Sequence, residues 1–145
     1  MVRRKVLPDA LVPSFRAFHA VLDEIEPAKS GLTDVVPGTR LPGRPLDDAL
    51  EEFVARLSRA RSVMPAWRRP ELEDEWAACR DGIATAMNRA TQVLDDGYEA
   101  VGFESLLGLV ERLLDPLEPF ADAEERFASL RRRTERPRTR RPGAT

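Results

Sequence analysis

The chain is short of the residues on which most catalytic and structural chemistries depend. Its 145 residues include one cysteine, one histidine and one tyrosine. A single thiol excludes a disulfide framework. Zinc takes three or four ligands from Cys, His and carboxylates, so carboxylates would have to supply nearly all of them here. The Glu-x-x-His pairs of di-iron bundles do not occur. The Gly- and Pro-rich stretch 37–45 lacks the Gly-Lys-Ser/Thr ending of a phosphate loop. No apolar run approaches the roughly 20 residues of a membrane span. Metal, cofactor and nucleophile-triad enzymes therefore lose their usual residues, and no catalytic, cofactor-binding or metal site is expected.

β-Branched residues are also few: Val and Ile number 13 against 35 Leu and Ala. That balance favours helix, because branching at Cβ restricts χ1 in a helix and suits strands. Nowhere do apolar and polar residues alternate over a strand's length. Lysine is nearly missing, with 2 against 21 arginines. The bias fits the codon usage of a GC-rich bacterial genome, so arginine abundance alone is weak evidence for phosphate binding.

Four segments carry apolar residues at alternating four- and three-residue spacing. The first runs Leu11, Phe15, Phe18, Leu22, Ile25 and on to Leu32 and Val36. The second is Leu46, Leu50, Phe53, Leu57, Ala60, Met64. The third is Leu72, Trp76, Cys79, Ile83, Ala86, Ala90, Val93. The fourth is Phe103, Leu106, Val110, Leu113, Leu117, Phe120, Glu124, Phe127, interrupted only by Glu124. A mean period of 3.5 residues is that of seams facing other helices in a supercoiled bundle. The prolines fall mostly between the segments, and acidic residues follow Pro45 and Pro70, where a carboxylate suits a helix N-terminus. Pro27, Pro116 and Pro119 lie inside segments, and each either kinks a helix or divides it. Short connections keep consecutive helices adjacent and antiparallel. The expectation is an all-α, up-down-up-down antiparallel four-helix bundle over 9–133. A flexible basic N-terminus, 1–8, precedes it, and a disordered Arg-rich tail, 134–145, follows.

The net charge of −2 conceals a division. Residues 1–5 carry +3 and residues 131–145 carry +6, which leaves 6–130 at −11. A basic tail on an acidic body binds an external polyanion or folds back on its own domain. The expected topology gathers both termini and the connection between the second and third helices at one end. Arg59, Arg61, Trp67, Arg68, Arg69, Arg131, Arg132 and Arg133 are the candidate anion- or partner-binding residues there. Trp67 is the one aromatic at that end available to stack on a nucleic-acid base, and its plainer reading is a lid on the core. The plainer reading is that these arginines complement helix dipoles and stay solvated.

His19 and Cys79 are the only pair that could form a nucleophilic dyad. Their plainer readings are a surface histidine beside Asp23 and a small buried hydrophobe. The sequence therefore points to a small non-enzymatic bundle without cofactor, acting by protein–protein contact or self-association. Docking of a nucleic acid or other polyanion at the basic end is the alternative, and an enzyme using His19 or Cys79 the remote one. The N-terminal basic residues look like the start of a signal peptide, but Pro8 and Asp9 break the apolar stretch behind them. A cytoplasmic location without a membrane span is expected.

Overall fold

A computed structural model describes residues 5–36, 45–97 and 103–133. It is a helical bundle. Among the described residues five α-helices form it: α1 (Val12–Thr33), α2 (Leu46–Val63), α3 (Glu73–Asp96), α4 (Phe103–Leu114) and α5 (Pro119–Ser129). Two-residue strands β1 (Lys5–Val6) and β2 (Arg132–Arg133) pair antiparallel at its edge.

The prolines act differently in the two long segments. α1 runs straight through Pro27. Pro27 forfeits one backbone hydrogen bond, to the Asp23 carbonyl, but Ile25, Ala28 and Leu32 around it are buried and hold the helix in place. Pro116 and Pro119 together remove two donors within four residues, and there the fourth segment divides. α4 stops at Leu114, and Asp115–Leu117 form a 3-10 turn. The Asp115 carbonyl accepts from the Glu118 amide at 3.1 Å, and Pro119 opens α5, where a missing amide proton costs nothing. α3 ends on Gly97, at φ +78° and ψ −178°, a backbone region closed to side chains with a Cβ.

Side-chain contacts tie the helices to one another. The Ser14 hydroxyl donates to the Trp67 carbonyl at 2.8 Å, and Arg56 of α2 pairs with Glu24 of α1 at 3.1 Å. The Trp76 indole near the start of α3 donates to the Met64 carbonyl just past α2, at 2.7 Å. Arg89 of α3 donates to the Arg112 carbonyl of α4 at 2.9 Å. Phe127 of α5 meets Phe15 and Phe18 of α1 at 5.2 and 5.0 Å between ring centroids.

The second and third seams lie inside along nearly their whole length, with Val93 half-buried. The first keeps Leu11, Phe18, Ile25 and Leu32 inside, but Ser14 and Val21 take the inner places expected of Phe15 and Leu22. Leu11, Ser14, Phe18, Val21, Ile25, Ala28 and Leu32 are buried, while Phe15 and Leu22 flank them half-buried. Ser14 hides this in the sequence, because a hydroxyl looks polar until its partner carbonyl is known. In the fourth segment Ala123 is buried and Glu124 is exposed. Leu113, Leu117, Phe120 and Phe127 keep their expected inner places across the 115–117 turn, and between Phe120 and Phe127 the inner place falls to Ala123, so Glu124 is solvated. Phe103 belongs to α4, but its side chain falls outside the description.

Candidate functional site

The basic end is built on an aromatic cluster. Phe18 lies against Trp67 (4.9 Å), Phe127 (5.0 Å) and Phe120 (6.3 Å), all between ring centroids. Trp67 is completely buried, with its indole N–H directed at the Met64 sulfur at 3.1 Å. This corrects the expected role of Trp67: its ring belongs to the core and offers no face to a base. Packing overrode its place in the connection between α2 and α3, because a large indole among three phenylalanines removes much apolar area from water.

Arginines surround this cluster. Arg68 makes a two-pronged ion pair with Glu73, at 2.7 and 3.1 Å, and its guanidinium lies 4.4 Å from the Trp76 ring centre. Arg80 lies over the same ring at 5.3 Å and pairs with Asp81 at 3.0 Å. Both placements fit cation–π attraction. The Arg68 guanidinium beside Glu73 holds that carboxyl below its usual range. Arg69 approaches Glu71 at 3.4 Å, although its buried Nε finds no hydrogen-bond partner. The Glu71 carbonyl in turn accepts from Arg126 of α5 at 3.4 Å. Arg131 sits over Phe15 at 5.3 Å.

Arg68 adjoins Trp67, Arg131 covers Phe15, and both rings touch Phe127, so these two arginines flank one cluster. β1 and β2 add the chain ends, with Lys5 opposite Arg133 and Val6 opposite Arg132. Residues 1–4 and 134–145, which include the expected disordered tail, lie outside the described residues.

Arg59 and Arg61 stand apart from this grouping. Arg59 faces α1, where Glu24 takes hydrogen bonds from Arg59 Nε and Arg56 Nη1, each at 3.1 Å. The bond from Arg59 is the main cause holding the Glu24 carboxyl below its usual range, with Arg56 adding to it. Arg56 also pairs with Glu52 at 3.1 Å. Arg61 is exposed in the last turn of α2, where a cation complements the helix dipole. The sequence does not reveal the Arg68–Trp76–Arg80 stack or the Arg126–Glu71 link. Both depend on side chains brought together across a turn or across helices.

His19 is exposed, with its ring edge-on to Phe15 at 4.4 Å. Cys79 is fully buried, and burial pushes its thiol up to about 12. A cysteine nucleophile needs the opposite, a lowered pKa and access to solvent. Among the described residues no group of three or more His, Cys, Asp or Glu is placed to hold a metal ion, and no helix is long and apolar enough to cross a membrane.

The class defined by this geometry is a helical bundle. Beyond that class, no protein-family model, no curated protein and no solved structure matches the chain.

Proposed function

We propose that this chain is a non-enzymatic helical-bundle protein that acts by docking an acidic surface of a partner protein at its basic end. The observation that carries the reading is the short ladder between β1 and β2. Its register pairs Lys5 with Arg133, so the backbone joins the N-terminal and C-terminal segments at two cationic residues. By composition residues 1–5 carry +3 and residues 131–145 carry +6. An acidic partner surface is attracted to both segments. Its association would be fast at low salt and would weaken as salt screens the charges.

Docking of nucleic acid is the second reading, supported by the same charges. The tryptophans favour protein instead. Trp67 is enclosed, and Trp76 is 6 % exposed beneath two arginines, so neither serves as a stacking platform.

The test is fluorescence anisotropy of the full chain against polyglutamate, duplex DNA and single-stranded DNA at low and moderate salt. Polyglutamate binding that falls with salt and is lost in the triple variant K5Q/R132Q/R133Q is expected. Tighter binding to either DNA would move the assignment to the second reading, and no binding to any of the three at low salt would refute both.

A further inference from the structure

The face between α1 and α5 carries charge of the opposite sign. Leu22, Leu117 and Phe120 floor a groove of about 450 Å³ there. Its walls bear four carboxylates, Glu26 from α1, Glu118 just before α5, and Asp122 and Glu124 within α5. Lys29 is the one cation lining it, and it lies 3.6 Å from Glu26. The groove thus has a net charge of −3 above an apolar floor.

The chain supplies its own complement. Residues 134–145 contain Arg136, Arg138, Arg140 and Arg141 against Glu135, a net +3, with Pro137 and Pro142 interspersed. We propose that this C-terminal segment docks in the α1–α5 groove of the same molecule, its arginines on the carboxylates and its prolines on the apolar floor. Prolines bias a segment towards an extended form with little entropy left to lose on binding.

The starting point of the segment favours this seat. Arg131 already lies over Phe15, and Phe15 packs on Phe127. Leu22 is two turns beyond Phe15 on the same face of α1, and Phe120 is two turns back from Phe127 on α5. Beyond Arg131 the chain pairs through Arg132 and Arg133 with β1 before the segment begins. From Leu130 back to Phe120 is about 15 Å at the helical rise, and Leu130 to Arg133 adds at most about 10 Å. Twelve residues reach about 40 Å extended, which covers that distance. Tethering sets the local concentration near the millimolar range. The groove and an external acidic partner would then compete for the same arginines, although tail docking does not require the partner reading to hold.

The experiment is paramagnetic relaxation in the full chain without any partner. Ala144→Cys receives a nitroxide label; Cys79, buried and with its thiol raised to about 12, stays unlabelled at neutral pH. Expected is loss of amide signal at 22–29 and 117–124, with α2 residues 49–57 spared. The signals should recover in E118Q/D122N/E124Q, whose helix content is checked by circular dichroism, and in about 1 M salt, where screening extends only about 3 Å. Loss spread evenly over the bundle, or no loss, would overturn the proposal. So would loss in a labelled chain mixed with nitroxide-bearing unlabelled chain, since a second copy would then fill the groove. Polyanion binding is not measured here, so failure of this test and failure of the docking test remain separate results.

Discussion

Gly82→Ala sets two effects of opposite sign against each other. Gly82 lies in the middle of α3, where replacing Gly with Ala ordinarily stabilises by about 1 kcal/mol. The Pro116 carbonyl, however, occupies the place a Cβ would take. A Cβ at Gly82 would press on the Pro116 oxygen, with the carbonyl carbon 3.2 Å away and the Pro119 ring 4.0 Å away. Restoring ordinary separation requires α3 and the 115–117 turn to part by on the order of 1 Å. Both obstructing atoms are backbone, and Ile83, Leu117 and Phe120 nearby are buried, so no flexible side chain absorbs the change. Overpacking of this kind costs about 1–3 kcal/mol. The expected net effect is a loss of up to about 2 kcal/mol, which lowers the melting temperature by up to roughly 8 °C for a chain of this size.

Gly108→Ala is the internal control. Its Cβ would meet only the flexible Arg112 guanidinium at 3.6 Å, so helix propensity should prevail and stability rise by up to about 1 kcal/mol. Urea titrations of both variants followed by circular dichroism measure the two signs. If Gly82→Ala stabilised the chain as Gly108→Ala does, the turn would not rest against α3, and the account of the divided fourth segment would fall with it.

Three further outcomes are expected. Ser14→Ala leaves the Trp67 carbonyl buried without its donor; a loss of about 1–3 kcal/mol in urea titration is expected, and an unchanged midpoint would contradict the burial of that bond. Glu24 is held below its ordinary value near 4.5 by Arg59 and Arg56. A depressed carboxylate contributes stability that is complete above its unfolded value and is lost as pH falls through its folded value. The advantage of the wild type over Glu24→Gln at pH 7 should therefore shrink below about pH 4.5, and an advantage independent of pH would show that the α1–α2 ion network contributes nothing. Cys79 should react with an aromatic disulfide reagent at neutral pH only as the chain opens, and labelling as fast as that of an exposed thiol would show that α3 does not bury it.

Much of this architecture is legible in the residues themselves. The scarcity of β-branched side chains and the repeated four-three spacing specify helices and their inward faces, and Leu46 through Met64 lie inside as the spacing requires. Periodicity works there because every seam position is apolar and no proline intervenes. It misleads where a position combines polarity with burial, as at Ser14, or where a three-residue step replaces the expected four, as between Phe120 and Ala123 beside Glu124. The fate of each proline is equally hidden. One missing amide in α1 is tolerated by the packing on either side of it, whereas two within four residues end a helix.

The candidate site divides in the same way. Sequence by itself determined the helical class and the separation of a basic N-terminus and tail from an acidic body, because both follow from residue type and order. Tertiary structure alone decided that Trp67 belongs to the core, that Arg68 and Arg80 flank Trp76, and that Lys5 lies opposite Arg133. It also decided that four carboxylates border one groove. The reason is distance: charge and burial act through space over a few ångströms, and only the packed chain brings residues 5 and 133, or 26 and 122, within that range.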